Sequence, residues 1–177
     1  MVKNASNFFM ASFDVENLFT NIPISETISI CLDLLFPIAD SLVIGLPKKF
    51  LKSMLELSVH NSFFTFNSKF YKQTEGLGMG LPLGPTFANI FMCFHETKWL
   101  SDCPTEYRHI FYKRYIDDTF LLFRNETHAP MFLNYLNNKH ANIMFTIECE
   151  HSNKLSFLDC TVHKIENKFQ CSVFKKD

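Results

Sequence analysis

Residues 113–123 read KRYIDDTFLLF. Two adjacent acids, Asp117 and Asp118, stand between two hydrophobic runs rich in aromatic and aliphatic side chains. The pattern predicts a strand over Tyr107–Tyr115, a turn over Ile116–Asp118 and a returning strand over Thr119–Phe123. Adjacent acids between hydrophobic strands are costly to bury unless something compensates. A divalent cation is one compensator, because Mg²⁺ takes carboxylate oxygens and keeps positions open for water and substrate phosphate. Asp also favours ordinary solvated turns. The pair by itself leaves both readings open.

Upstream, FFMASFDV (8–15) predicts a short buried strand ending in Asp14. Three carboxylates from two neighbouring strands would suit two-metal phosphoryl transfer, where ions about 3.5–4 Å apart stabilise the attacking and leaving oxygens. Asp14 could equally cap NLFTNIP (17–23), which reads as a turn. Ser25 is expected to cap a helix to Phe36, with Ile28, Cys31, Leu32 and Leu35 at helical spacing and Pro37 ending it. Pro47 is expected to open a second helix to Val59, with Phe50, Leu51, Met54 and Leu57 on one face.

Ser62–Phe66 and Lys69–Thr74 read as a hairpin turning at Asn67–Ser68. Four of the five glycines then fall within residues 76–84. Glycine permits unusual backbone angles and close approach of another molecule. Such a loop before a helix can lie against a nucleotide, a phosphate or a base pair. It can equally be a tight strand-to-helix connection. It is neither GxxxxGK[ST] nor a GxGxxG following a first strand, which argues against Walker and Rossmann sites. Pro85 sits where a helix can start, and Thr86–Leu100 is the strongest helical stretch. A break at Cys103–Pro104 follows, and Pro130–His140 reads as a helix. From Ile143 the chain looks all-β: IMFTIECE, LSFLDCTVHKI and KFQCSVFKK, the last two read as strands over Leu155–Lys164 and Lys168–Lys176. The expectation is an α+β fold around one antiparallel sheet, in a single domain over residues 1–177.

The composition agrees. The 177 residues are 47% hydrophobic and 20% charged, which fits a globular domain rather than a disordered tail. No uncharged apolar run approaches the roughly 20 residues that span a bilayer. The N-terminus lacks the long apolar region of a signal peptide. The formal charge is -1, without the basic surplus of a stand-alone nucleic-acid binder. The six cysteines lack CxxC and zinc-finger spacing, so reduced, mostly buried thiols are expected. His95-Glu96 begins an HExxH pattern that fails at Trp99. Lys113-Arg114 could touch a phosphate or flank the hairpin in solvent. Lys175-Lys176 reads as a solvated end.

Taken in order, these pieces resemble a reverse transcriptase palm, and more narrowly the Penelope-like retroelement branch. The residues that carry the resemblance are SFDVENLFTNIP (12–23), GLGMGLPLGPTFANIFM (76–92), KRYIDD (113–118), LNNKHANIMFTIECE (136–150) and LSFLDCTVHK (155–164). It covers nearly the whole chain. The resemblance implies an RNA-directed DNA polymerase using an RNA template, a DNA primer and deoxynucleoside triphosphates, with two Mg²⁺ or Mn²⁺ ions. Asp14, Asp117 and Asp118 are implied as catalytic metal ligands, with the Val15 carbonyl as a further contact. Phe19 matches the aromatic steric gate against a ribose 2′-OH, although core packing is the ordinary role of a Phe. Gln73, Gly76, Met79 and Gly80 match the motif that shapes the nucleotide and template pocket. Tyr115 is implied beside the primer end, and the strands after Leu155 match the primer-supporting hairpin. Where similar proteins usually read MGSPLSP, this chain has Leu81 and Gly84 in place of two serines. The resemblance also implies truncated fingers, an absent thumb and a longer polyprotein in which an endonuclease can follow. It implies an intracellular location, nuclear or cytoplasmic, without secretion or membrane insertion. From a different class, the chain could be an inactive remnant, or an RNA- or partner-binding module, derived from such an enzyme.

Overall fold

Residues 9–15, FMASFDV, alternate between two environments, and that alternation organises one part of the molecule. In the computed structural model, which describes residues 4–38, 41–60 and 62–173, this segment is strand β1 (Phe9–Val15). The elements that follow are α1 (Leu18–Asn21), α2 (Ile24–Leu35), β2 (Leu42–Val43), β3 (Leu46–Pro47), α3 (Lys48–His60), β4 (Phe63–Phe66), β5 (Lys69–Lys72) and α4 (Gly84–Ser101). After them come β6 (Phe111–Tyr115), β7 (Asp118–Phe123), α5 (His128–Asn137), β8 (Phe145–Cys149), β9 (Lys154–Phe157), β10 (Cys160–Ile165) and β11 (Lys168–Val173). The described chain forms two compact units, one of residues up to Glu16 with those from Trp99 onward, the other Asn17–Lys98.

The first unit holds two antiparallel sheets rather than the single one expected, ordered β6-β7-β1-β8 and β11-β10-β9. β1 is central, paired to β7 on one side and β8 on the other. Side chains alternate across a strand, so Ala11, Phe13 and Val15 share one face while Met10, Ser12 and Asp14 share the other. The Phe13 ring packs on Phe132 of α5 at 5.9 Å, on Phe123 at 6.3 Å and on Phe145 at 6.5 Å. On the opposite face Met10 forms a buried cluster with Leu122, Leu155 and Val162, which seats the three-stranded sheet on the four-stranded one. A buried ion pair ties the same seam: Lys164 Nζ reaches Glu150 and donates to the Phe8 carbonyl at 2.9 Å, and Glu150 accepts the Met10 N–H at 2.8 Å. Both charges are therefore hydrogen-bonded as well as paired, the condition for keeping them buried.

Several expected elements shift. LSFLDCTVHKI is two strands, β9 and β10, because Leu158 turns the chain with φ 53°. β11 ends at Val173, and the rest of the strand expected to Lys176, with Lys175-Lys176, lies outside the described residues. Tyr107 belongs to a 3-10 turn, so β6 starts at Phe111.

In the second unit, α2 buries Ile24, Thr27, Ile28, Ile30, Cys31 and Leu32, while Leu35, expected inside, is exposed. Ser25 does not cap this helix. Pro23 does, because its carbonyl already accepts the Thr27 N–H at 3.0 Å and the Thr27 hydroxyl at 2.9 Å. NLFTNIP contains a short helix, α1, rather than only a turn. Phe50, Met54 and Leu57 of α3 are exposed, so that helix face is not core. The hairpin β4–β5 turns at Asn67–Ser68 as the sequence indicates. All six cysteines are free thiols; Cys31 and Cys103 are buried, whereas Cys93, Cys149 and Cys171 are exposed, against the expectation of mostly buried thiols. No described helix is long and apolar enough to cross a membrane.

Candidate active site

Strand register builds the site. Asp14 stands opposite Asp118 on β7 and opposite Thr146 on β8. Asp118 stands opposite Tyr115 on β6. Tyr115, Asp118, Asp14 and Thr146 therefore form one row across four strands. The next row down on the same face is Lys113, Phe120, Ser12 and Glu148, and below it Phe111 and Leu122 lie beside Met10. The sheet thus grades from an apolar base, sealed by the three-stranded sheet, to an acidic end.

Asp117 sits in the two-residue turn before β7. Its carbonyl accepts the Val15 N–H at 3.2 Å, which pins the turn to β1 one residue past Asp14. Asp118 belongs to β7 and not to the turn as expected. A cleft of about 260 Å³ opens in front of Asp14 and Asp118, walled by Ser12, Thr146, Glu148 and, from the β9–β10 hairpin, Ser156, Phe157 and Leu158.

Like charges directly opposite on neighbouring strands repel. Burial, then the charges of Asp117 and Glu16, push the Asp14 carboxyl above its usual range. Burial, then Asp117 and Asp14, do the same to Asp118. The donor set around this row is all oxygen and rich in carboxylates, which matches a hard divalent cation. Such an ion would also relieve the repulsion among these carboxylates, which adds to burial in raising both groups. These residues fit a metal of that class.

The remaining residues singled out by sequence lie in the second unit. Phe19, on α1, is half-buried, and its carbonyl accepts the Leu77 N–H at 2.7 Å. This bond ties α1 to the glycine loop. Gly76 has φ +67°, and a Cβ there would stand 2.2 Å from the Thr20 carbonyl oxygen. Gly78 is as tightly packed, since a Cβ there would stand 2.2 Å from the Ser62 Oγ. Close contact, with backbone at Gly76 and with a side chain at Gly78, explains these two glycines beyond their flexibility. The Gln73 side-chain amide donates to the Glu75 carbonyl at 2.8 Å, and its backbone N–H bonds to Ser62 at 2.9 Å. Met79 is 87% exposed at the loop's tip, next to Gly80, whose φ is +89°. A cavity of about 630 Å³ lies against Gln73, Gly78, Met79, Thr20 and the Phe63–Lys72 rung of the β4–β5 ribbon. Without serines at 81 and 84 the loop is held by backbone bonds, Leu81 N–H to Gly78 at 3.2 Å and Gly84 N–H to Leu81 at 2.9 Å.

Residues 1–166 match the family described as reverse transcriptase (RNA-dependent DNA polymerase). The chain belongs to that family. Its fold agrees with solved telomerases. Against apo telomerase from Candida tropicalis the TM-score is 0.69 at 11% identity, over 92% of this chain and 32% of that one. Against telomerase from Candida albicans in complex with a TWJ fragment of telomeric RNA it is 0.67 at 12% identity, over 89% of this chain and 30% of that one. The chain thus spans about a third of the length of these structures. No curated protein matches its sequence. The four-stranded sheet backed by α5 is the palm of this reverse transcriptase core, and membership in the family implies dependence on divalent metal in general.

Sequence reasoning missed Ser12, Thr146, Glu148 and Ser156 as walls of the cleft. The alternation in SFDV and FTIE marks which residues share a face with Asp14. Only the pairing of β1 with β8 brings Thr146 and Glu148 to it.

Proposed function

We propose that this chain is the catalytic palm core of a retroelement RNA-directed DNA polymerase of the Penelope-like type. The observation that carries this reading is the single row in which Asp118 and Asp14 face each other beneath the Asp117 turn. Asp14, Asp117 and Asp118, with the Val15 carbonyl, would hold two Mg²⁺ or Mn²⁺ ions. Bound there, the ions supply the charge that activates a primer 3′-hydroxyl and stabilises the departing pyrophosphate. The new bond joins the primer 3′-oxygen to the α-phosphorus of a deoxynucleoside triphosphate as the bond to pyrophosphate breaks.

The side chains divide the remaining work. Tyr115, 61% exposed and one strand from Asp118, offers an aromatic face to the primer end. Phe19 acts as the steric gate against a 2′-hydroxyl. Gln73, Gly76, Met79 and Gly80 shape the nucleotide and RNA-template pocket. The β9–β11 sheet supports the DNA primer. A single-domain assignment for residues 1–177 and a nuclear or cytoplasmic site of action belong to the same reading.

The test is primer extension on an RNA template with Mg²⁺ or Mn²⁺, comparing the chain with Asp117→Asn. Extension by the parent and a loss of about a thousandfold or more in the variant is expected, as for removal of an essential electrostatic group. Near-equal extension by both refutes the role of Asp117. Absence of extension by the parent turns the reading to a non-catalytic remnant that binds RNA or a partner.

A further inference from the structure

The turn that carries Asp117 is held by a side chain the polymerase reading leaves unused. Ile116 has φ 57°, in the left-handed region. A β-branched residue is an outlier there, and such strain persists only where the surroundings enforce it. One enforcing contact comes from Arg114, whose Nη1 donates to the Ile116 carbonyl at 2.7 Å. The other is the Val15 N–H on the Asp117 carbonyl. Together they grip the peptides on both sides of Asp117's α-carbon from two directions.

Strand parity separates this role from a grip on nucleic acid. Lys113 and Tyr115 share the face that carries Asp118 and Asp14. Arg114 stands opposite Thr119, which stands opposite Phe13 on the face packed against α5. Arg114 therefore rises from the far side of the sheet, at its edge strand, and bends to the turn. Thr119, the residue after Asp118, is fully buried, while Ile116 in the turn is 37% exposed. A guanidinium suits the task, because it is permanently charged and planar and its donors have a fixed geometry.

We propose that Arg114 is a positioning residue that clamps the strained Ile116 peptide and thereby sets Asp117 and Asp118 against Asp14. Its catalytic consequence rests on the polymerase reading; the clamp itself does not.

The test uses Arg114→Ala, Ile116→Asn and the double variant in the full chain. Asn accepts the left-handed conformation far more readily than Ile, so it removes the need for the clamp. The first readout is hydrogen exchange at the Val15 amide relative to the Met10 amide on the same strand. Arg114→Ala should speed Val15 exchange selectively by about tenfold, the loss expected for one charge-assisted hydrogen bond, and Ile116→Asn should reverse it. The second readout is primer extension. Arg114→Ala should lower kcat by about tenfold with KM for primer–template unchanged, and the double variant should regain most of it. Unchanged Val15 exchange in Arg114→Ala overturns the proposal. So does a raised KM with a weaker salt dependence that Ile116→Asn does not repair, which would make Arg114 a phosphate contact. If no protein extends a primer but the exchange pattern holds, the clamp stands and the polymerase reading falls.

Discussion

Two hairpins in this chain differ in what lies behind them. The ribbon β4–β5 turns through Asn67 and Ser68 at φ 50° and 60°. All eight of its strand residues are exposed, Phe63, Phe66 and Phe70 among them. The hairpin β6–β7 turns through Ile116 at φ 57°, yet Thr119, Leu121, Leu122 and Phe123 of its second strand are buried. The ribbon has the turn residues its geometry requires and little packing. The acid-bearing hairpin has the wrong turn residue and deep packing. Local consistency and tertiary support are thus traded against each other, and strain is kept only where a core can hold it.

The contrast breaks most visibly if the core behind β6–β7 is removed. Phe132 packs on Phe13 at 5.9 Å, Phe123 at 5.7 Å and His109 at 5.3 Å. Phe132→Ala should destabilise the first unit by about 3–5 kcal/mol in urea denaturation followed by circular dichroism. Phe70→Ser, at a position 84% exposed, should shift stability by no more than about 0.5 kcal/mol. Comparable losses would mean the ribbon is supported after all.

A smaller effect comes from giving the ribbon the other turn's strain. Asn67→Ile places a β-branched residue at φ 50°, which should weaken the ribbon by about 1–2 kcal/mol. Hydrogen exchange at the β5 amides should rise while the unfolding midpoint of the whole chain stays in place. Unaltered exchange would show that residue choice at these turns is immaterial.

The smallest effect concerns acid. The His109 ring packs on Tyr112 and Phe132, and its Nδ1 has no hydrogen-bond partner among the described residues. Burial first, and the Arg108 charge second, hold its pKa below the ordinary 6.5. The unfolded chain therefore takes up the proton before the folded one does. The stability that neutral His109 contributes is complete above pH 6.5 and is lost as pH falls from there through the folded value. His109→Gln should flatten the acid limb of Tm against pH. A parallel fall in parent and variant would assign that limb to other groups.

The same contrast explains what could be read from the residues. The ribbon was legible because Asn67–Ser68 separates two aromatic runs. The break at Leu158 was not, because a bulky residue at φ 53° leaves no mark in LSFLDCTVHKI. Phe50, Met54 and Leu57 have true helical spacing, but periodicity cannot say whether anything covers a face. Ser25 lost the cap to Pro23 because a backbone carbonyl was placed to accept first. At the candidate site, the meeting of Asp14 with the Asp117-Asp118 pair was legible from their flanking hydrophobic runs. Thr146 and Arg114 were not, since one depends on which strands pair and the other on a two-residue reach back to a carbonyl.

The seam between Met10, Glu150 and Lys164 has a consequence for the order of assembly. Met10 and Glu150 are 140 residues apart, and Lys164 and Phe8 are 156 apart. β1 is synthesised before the entire Asn17–Lys98 unit, and both of its ladder partners after it. Contacts of such separation are slow to form, because loop closure must precede any gain from them. Asp14 therefore waits as an acid on an unpaired strand while that whole unit is made, and the row that gives it Asp118 and Thr146 as neighbours exists only once β7 and β8 have followed.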